Sequence, residues 1–460
     1  MRLYNTLGRK IQDLHPIKPG EIGVYACGPT VYWFAHVGNL RTYVFVDVLR
    51  RALARSGLKV KLVMNVTDVG HLSSDADEGE DKMLIAMRRE GKTAYDIARF
   101  YEEAFVKDLG RLNILPADAM PRATDHIEGQ IDMIKRLEKN GFTYQTADGI
   151  YFDTSKLPEY GMLSGQKAED KKAGARVEMG EKKNPTDFAL WKISPSTSSG
   201  HKREMEWESP WGKGFPGWHI ECSAMSKQYL GAPFDIHTGG IDHVPVHHEN
   251  EIAQTQGAEG VLEANVWMHG EFLTVDGGKM SKSLGNLFTL DDLMSRGYDP
   301  LAFRYFCFGA HYRTKLNFTW EALTAAQNAL NRLREIVRGW DTPGNVGCAD
   351  HENAFLAAIE DDLNTPEALA AMWKMIEDAS LPTSARSRTV LFMDQVFGLK
   401  LGEFIGKPVE VPEDVKMLVQ AREAARKAKD WKESDRLRDE IATRGFTVED
   451  GLHGPVIKKA

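Results

Sequence analysis

Residues 21–65 decide the fold, because in this segment two short apolar strands flank a helix. The first strand, Glu21-Ile-Gly-Val-Tyr-Ala-Cys27, is followed by residues 40–53, whose apolar side chains recur at helical spacing. Leu58-Lys-Val-Lys-Leu-Val-Met-Asn65 then alternates before it becomes fully apolar, as a strand entering a sheet does. A strand, a crossover helix and a second strand of these lengths predict a βαβ unit and therefore a parallel sheet.

This unit also predicts where a ligand binds. Ligands of open parallel sheets bind beyond the carboxyl ends of the strands. Cys27, His36 and Thr67 all fall at that edge of the predicted sheet. We therefore expect the functional site there.

Outside this unit the chain divides into further predicted segments. These are helices near 80–110 and 124–140, an irregular insertion over 160–184, a loop at 194–200, alternating strands and helices over 218–276, and a helical region beyond 289 with breaks at 341–347 and 402–412. The sequence thus predicts an α/β domain with an insertion, then a helical region, then a small C-terminal module.

Composition excludes several classes of protein. Four cysteines in 460 residues cannot form a disulfide scaffold, and no apolar run reaches the ~18 residues that a membrane span needs. The first residues lack the apolar core of a signal peptide, so we expect a cytoplasmic protein. The net charge of −8 argues against a protein that coats nucleic acid without specificity, but it is compatible with binding of a folded RNA through local basic patches.

Histidines are crowded into one part of the α/β region. Six of the fourteen lie between residues 219 and 269: His219, His237, His243, His247, His248 and His269. Histidine is the commonest side-chain ligand of metals. His247 and Glu251 are four residues apart in a helical segment and therefore lie on one face, a spacing that suits two ligands of one metal.

Cys27 and Cys222 are two further candidate ligands. Two thiolates, an imidazole and a carboxylate would give Zn²⁺ a complete protein shell. The alternative is that both cysteines are small buried hydrophobes, and spacing alone leaves the two interpretations open. Cys307 is predicted to lie in a helix core, and Cys348 in a linker.

The segment His36-Val-Gly-Asn39 indicates a phosphate site, because it lies where the first strand gives way to a helix. Exposed amides at a helix start bind anions, and a small glycine permits close approach. A histidine there can donate a hydrogen bond to charge that develops on a phosphate oxygen. A simple capped helix start is the alternative.

A second nucleotide signature is Gly277-Gly-Lys-Met-Ser-Lys-Ser283. Lys279 and Lys282 on a glycine-hinged loop can fold over a triphosphate and neutralise the leaving pyrophosphate. The alternative is a solvated basic hairpin. No Walker-type phosphate loop occurs in the sequence.

Together these motifs resemble those of class I aminoacyl-tRNA synthetases, and they are most similar to the cysteinyl-tRNA synthetase family. The similar segments are Cys27-Gly-Pro-Thr-Val-Tyr32, Trp218-His-Ile-Glu-Cys-Ser-Ala-Met225, His247-His-Glu-Asn-Glu-Ile-Ala-Gln254 and Lys279-Met-Ser-Lys-Ser283. The resemblance implies a Rossmann-like catalytic domain over 1–288 with an insertion at about 110–215. It also implies a helical tRNA-contacting bundle over 289–402 and a small anticodon-binding module over 403–460.

The resemblance also implies roles for individual residues. The family's zinc ligands correspond to Cys27, Cys222, His247 and Glu251, and its other amino-acid contacts to Thr67, Trp218 and Asp242. The implied ATP-binding positions are His36, Gly38, Asn39, Gly240, His269 and Lys282. The implied catalytic residues are His36, Asn39, Lys279 and Lys282, with Asn39 in place of the second signature histidine.

The implied reaction joins L-cysteine to tRNA(Cys) by way of cysteinyl-adenylate, with ATP and Mg²⁺. Selection of cysteine over serine would rest on a zinc–thiolate bond, so no editing domain is expected. We expect a monomer that has no contact with membranes.

The C-terminal segments Ala421–Trp431 and Asp435–Glu440 read as two charged helices with an exposed tryptophan between them. Such a pair suits single-stranded bases of an anticodon, and a solvated helical hairpin is the alternative. Two other functions are weighed against the synthetase. One is a ligase that passes activated cysteine to an amino sugar, and the other is a non-catalytic zinc protein.

Overall fold

The computed structural model describes residues 1–70, 81–165, 181–194, 204–278, 280, 285–407, 409–451 and 454–459. The chain divides into two compact units. The first comprises residues 1–327, 353–371 and 395–397, and the second comprises residues 328–352, 372–394 and 398–460. The domain boundaries at 288 and 402 stay a prediction.

The strands of the described residues are short. They are β1 (Arg2–Asn5), β2 (Lys10–Asp13), β3 (Glu21–Ala26), β4 (Lys59–Met64), β5 (Thr143–Gln145), β6 (Gly149–Phe152), β7 (Phe188–Ile193), β8 (Gly214–Pro216), β9 (Phe234–Gly240), β10 (Ala264–Gly270), β11 (Leu273–Val275), β12 (Leu316–Phe318), β13 (Phe446–Gly451) and β14 (Gly454–Lys459).

The helices of the described residues account for most of the remaining regular structure. They are α1 (Val37–Arg55), α2 (Lys82–Glu90), α3 (Ala94–Arg111), α4 (Ile127–Lys139), α5 (Trp218–Leu230), α6 (His247–Glu259), α7 (Leu290–Ser295), α8 (Pro300–Cys307), α9 (Trp320–Arg338), α10 (Ala349–Glu360), α11 (Thr365–Glu377), α12 (Thr383–Phe397), α13 (Glu413–Lys427) and α14 (Trp431–Thr443).

The central sheet of the first unit is parallel and has the strand order β10-β9-β3-β4. The predicted unit β3–α1–β4 is therefore confirmed. A second βαβ element, β9–α6–β10, starts from β9 beside β3 and extends the sheet in the opposite direction. The strand order thus reverses between β3 and β9, and the crevice beyond the carboxyl ends at such a point is where open α/β sheets bind ligands.

The insertion contains a four-stranded antiparallel sheet, β5-β6-β7-β8, and none of these strands was predicted from the sequence. All four residues of β6 are buried, so the alternation that marks a half-buried strand is absent. Its core includes Ile134, Phe152, Trp191 and Ile220. Residues 195–200 of the expected loop and most of the segment 160–184 lie outside the described residues.

The predicted helix over 80–110 is two helices, α2 and α3. Gly91 ends α2 in the left-handed conformation (φ 64°), which costs glycine little because it has no Cβ. Thr93 then caps the amino end of α3, where its hydroxyl accepts a hydrogen bond from the amide of Asp96 at 3.1 Å. The six residues of the break, Arg88-Arg-Glu-Gly-Lys-Thr93, contain no apolar side chain, so the helical pattern predicted over 80–110 is interrupted there.

The second unit ends in α13, α14 and the hairpin β13–β14, which share a core of Val415, Val419, Ile441, Phe446 and Val448. The two predicted helices are present with different bounds: α13 begins earlier and ends at Lys427, and Trp431, which was predicted to lie between the helices, begins α14 with 58% of its surface exposed. The hairpin was not predicted from the sequence. Among the described residues, no helix combines the length and the apolarity that crossing a membrane requires.

Candidate active site

The structure brings the four predicted metal ligands together. Cys27 follows β3, Cys222 lies in α5, and His247 and Glu251 lie one turn apart in α6. All four are buried, and one ligand atom from each lies within 4.8 Å of the others. We call these four residues the metal cluster. Its members come from three separate segments of the chain.

Cys27 is fixed by the strands around it. Its amide donates to the carbonyl oxygen of Thr238 at 3.0 Å, which ties the end of β3 to β9. The next residue must be glycine, because a Cβ on Gly28 would lie 1.6 Å from the carbonyl oxygen of Asn65. The close approach of these two segments, after β3 and after β4, directs the Cys27 side chain toward α5 and α6.

His237 and His248 adjoin the metal cluster, and the sequence analysis did not assign them to a ligand set. Cys27, His237, His248 and Glu251 form an overlapping group with the same mutual spacing. His248 Nε2 lies 3.2 Å from the Cys27 sulfur, and His237 Nε2 lies 2.9 Å from Glu251 Oε2. The crowding of histidines over 219–269 was the available signal, but their spacing does not show which of them converge.

Further histidines hold the cluster from outside. His219 Nδ1 lies 2.9 Å from His247 Nδ1, so the Nε2 of His247 faces Glu251 at 3.0 Å. His248 Nδ1 lies 2.7 Å from His269, which in turn contacts the Thr6 hydroxyl at 2.8 Å. The structure therefore places His269 in a buried chain of histidines rather than among the residues that line the cavity described below.

The electrostatics of the metal cluster suit a cation. A hydrogen bond from the Cys27 thiol lowers the pKa of Cys222 despite burial, whereas burial raises the pKa of Cys27 itself. Burial alone would raise the pKa of Glu251, but the neighbouring His237 and His247 hold it below its usual value. A carboxylate and a readily ionised thiol thus lie together in a buried site.

An unpartnered hydroxyl beside the cluster supports the same interpretation. The Tyr25 hydroxyl is buried close to the Cys222 sulfur and has no nitrogen or oxygen partner among the described residues. Burial raises its pKa, and so does its proximity to Cys222, Cys27 and Glu251. A donor facing two sulfurs fits thiolates held by a metal, and two thiolates, an imidazole and a carboxylate are ligands typical of Zn²⁺.

Residues 36–39, which we call the nucleotide turn, begin α1. The His36 Nδ1 accepts the amides of Gly38 (3.1 Å) and Asn39 (3.3 Å), and Asn39 Oδ1 accepts the amide of His36 at 3.2 Å. This capping box engages amides that the sequence analysis expected to bind phosphate. Since Nδ1 is an acceptor, the proton lies on Nε2, which is the donor that His36 presents.

His36 is neutral at physiological pH. Burial lowers its pKa to about 4, although the charge of Asp242 opposes the shift. Met280 packs so closely against the nucleotide turn that a Cβ on Gly38 would lie 2.3 Å from Met280 Cε. The neighbouring Lys279 and Lys282 lie outside the described residues.

The metal cluster and the nucleotide turn meet at one cavity of about 380 Å³, which is lined by Cys27 from the cluster and by His36 and Asn39 from the turn. Its lining includes the predicted residues Cys27, His36, Asn39, Trp218, Gly240 and Asp242. Thr67 is buried instead, and its hydroxyl donates to Glu221 at 3.0 Å. Lys82 also lines the cavity, with its ammonium 5.6 Å from the centre of the Trp218 ring, and the sequence analysis missed it.

The chain matches three family models, in order along the sequence. Residues 13–328 match the model described as tRNA synthetases class I (C) catalytic domain. Residues 354–392 match the DALR domain, and residues 409–454 match the Cysteinyl-tRNA ligase anticodon binding domain.

Curated relatives cover nearly the whole chain. Cysteine–tRNA ligase 1 of Burkholderia lata is 53% identical over 455 residues, which are 99% of this chain and 96% of the relative. Cysteine–tRNA ligases of Treponema denticola and Thermus thermophilus are each 42% identical, and in both cases 98% of this chain and 98% of the relative are covered.

Solved structures show the same fold at low identity. A leucyl-tRNA synthetase of Agrobacterium radiobacter, in a ternary complex with tRNA, has a TM-score of 0.60 at 12% identity and covers 85% of each chain. A Mycobacterium tuberculosis methionyl-tRNA synthetase, solved with methionyl-adenylate, has a TM-score of 0.55 at 17% identity, with 84% of this chain and 93% of that chain covered. The predicted α/β fold is thereby confirmed.

Proposed function

The chain belongs to the cysteine–tRNA ligase family of class I aminoacyl-tRNA synthetases, and from this premise we propose that it selects cysteine with zinc and activates it as an adenylate. The general activity, ligation of cysteine to tRNA, follows from the family. The convergence of two thiols, an imidazole and a carboxylate beside the nucleotide turn is the observation that most supports the proposal.

The metal cluster is proposed to hold the zinc. Bound there, Zn²⁺ would supply a Lewis acid that accepts a thiolate far more readily than a hydroxyl, and so would distinguish cysteine from serine. Shape alone distinguishes such similar side chains by only ~10²-fold. Trp218 packs against His247 with ring centres 4.4 Å apart and an angle of 33° between the rings, so it both orients this ligand and bounds the space for the substrate side chain.

The nucleotide turn is proposed to act on ATP. The carboxylate of cysteine attacks the α-phosphorus, and the bond to the bridging oxygen of pyrophosphate breaks. The His36 Nε2–H donates to a phosphate oxygen as charge develops there, and because His36 is neutral and held by the helix start, its orientation is fixed beforehand. Lys279 and Lys282 would neutralise the leaving pyrophosphate, which Mg²⁺ accompanies.

The second step transfers the cysteinyl group to a ribose hydroxyl at the 3′ end of tRNA(Cys), and AMP leaves. Residues 409–454 are proposed to contact the anticodon, with the exposed Trp431 as a stacking surface. The four cysteines are all free, which suits a reducing compartment, and we propose that the enzyme acts as a cytoplasmic monomer.

Two assays test the proposal. Purified protein should catalyse ATP–pyrophosphate exchange that depends on cysteine and not on serine, and it should then convert labelled cysteine into acid-precipitable tRNA. Exchange without tRNA charging would indicate the amino-sugar ligase. Absence of both activities from zinc-loaded protein would indicate a non-catalytic zinc protein.

A further inference from the structure

A group of aromatic rings extends from the cavity toward solvent. Trp33, Phe34 and Tyr101 line the cavity, and the ring centres of Phe34 and Tyr101 are 4.9 Å apart. Phe100 adjoins Tyr101 at 5.1 Å, and 44% of its surface is exposed. The rings therefore form a continuous path from the interior of the cavity to the surface of α3.

Three cations from α2 and the following turn lie over this path. The Lys82 ammonium is 5.8 Å from the centre of the Tyr32 ring, inside the cavity. The Arg89 guanidinium is 3.8 Å from the centre of Trp33, and the Lys92 ammonium is 4.7 Å from the centre of Phe100. We call Lys82, Arg89 and Lys92, together with Trp33, Phe100 and Tyr101, the strip.

The strip is locally basic although the chain is acidic. Residues 82–93 contain four basic residues and one acidic residue, within a chain of net charge −8. The acidic residue, Glu90, lies 2.5 Å from Arg89 and accepts the Tyr101 hydroxyl at 2.5 Å. It also lies 3.9 Å from Lys92. Glu90 thus holds Arg89 and Tyr101 in place while the surface stays positive.

We propose that the strip binds the unpaired 3′-terminal nucleotides of tRNA and guides them into the cavity, an inference that rests on the proposed function. Single-stranded nucleic acid offers bases that stack on rings and phosphates that pair with cations, and the strip presents both kinds of group side by side. A guanidinium lying on a ring can itself stack with a base. The strip also leads into the cavity where the 3′ ribose must react.

The test compares tRNA with and without its three unpaired 3′-terminal nucleotides. Arg89→Gln removes a cation, and Phe100→Leu removes a ring. Lys59→Gln is the matched control, because Lys59 is 82% exposed at the amino end of β4, the edge of the sheet away from the cavity. We expect Arg89→Gln and Phe100→Leu each to weaken binding of full-length tRNA about tenfold. Neither should weaken binding of the truncated tRNA, and the control should bind both as the wild type does.

Salt dependence and pyrophosphate exchange complete the test. Arg89→Gln should reduce the slope of log Kd against log salt by about 0.7, the value for one contact with a single strand, and Phe100→Leu should leave the slope unchanged. Cysteine-dependent exchange needs no tRNA and should stay within about twofold of wild type, since neither residue lines the cavity.

Different failures have different meanings. Equal weakening for full-length and truncated tRNA would overturn the proposal, because the strip would then bind another part of the tRNA or act on the fold. If neither variant weakened the binding of either tRNA, the proposal would also be overturned, because the strip would then not bind tRNA. Absence of exchange in the wild type would contradict the proposed function instead.

Discussion

The metal cluster and the nucleotide turn share one cavity but are built differently. The cluster consists of buried side chains from three segments, and the chemical types of those side chains define the ligand. The turn depends on one helix start, where His36 is oriented by backbone amides and by Asn39. Substitution in the cluster should therefore release the metal, whereas substitution in the turn should reduce the rate of cysteine activation and leave the metal bound.

Cys222→Ser should have the largest effect. A serine hydroxyl does not replace a thiolate on zinc, so metal content should fall to background and cysteine-dependent exchange should fall about 10⁴–10⁵-fold, the scale of losing the interaction for which a site is built. Elemental analysis and exchange kinetics measure both. Cys348→Ser is the control, because Cys348 is as buried as Cys27 (7% and 6% exposed) and belongs to neither candidate metal group found in the described part of the chain. Full activity of Cys222→Ser would refute the assignment.

His36→Ala should give the next largest effect. It removes the Nε2–H donor, so kcat for exchange should fall about 10²-fold while KM for cysteine changes little. Metal content should equal that of the wild type, which is the contrast with Cys222→Ser. Loss of zinc from His36→Ala would show that the two regions are coupled.

Tyr25→Phe should weaken zinc binding about tenfold, because the unpartnered hydroxyl is placed to donate to a zinc-bound thiolate. Competition with a chromophoric chelator gives the affinity. Tyr151→Phe is the control, since Tyr151 is equally buried but its hydroxyl contacts Asp148 in the insertion. Equal affinities of Tyr25→Phe and the wild type would refute the role of Tyr25.

The smallest effect concerns pH. Since burial lowers the pKa of His36 to about 4, its imidazole resonance should titrate near pH 4 and not near 6.5. The unfolded chain binds this proton first, so the stabilisation from neutral His36 is complete above pH 6.5 and is lost as pH falls toward 4. Between pH 7 and pH 5 the wild type should lose about 1–2 kcal/mol more unfolding free energy than His36→Asn, which keeps a capping side chain without a titrating group. A midpoint near 6.5 would contradict the half-buried, neutral state of this imidazole.

The sequence predicted those parts of the molecule whose chemistry is local. Cys27, Cys222, His247 and Glu251 were identified by ligand type and by the four-residue spacing in α6, and the structure brings them together. His237 and His248 were not assigned to them, because their approach to Cys27 depends on the register of β9 and the packing of α6, which no local pattern records.

The insertion and the C-terminal hairpin illustrate the same limit. The strand β6 is buried at every position and so lacks alternation, and the pairing of β13 with β14 depends on a core shared with α13 and α14. The contacts of Gly240, His269, Lys279 and Lys282 with ATP stay predictions.

X-ray absorption at the zinc edge tests the central claim most directly. Zinc in the free enzyme should have two sulfur neighbours at ~2.3 Å, from Cys27 and Cys222, together with nitrogen and oxygen neighbours. Cysteine should add a third sulfur at a similar distance, and serine should not. An unchanged sulfur count in enzyme saturated with cysteine and active in tRNA charging would contradict selection through the thiolate.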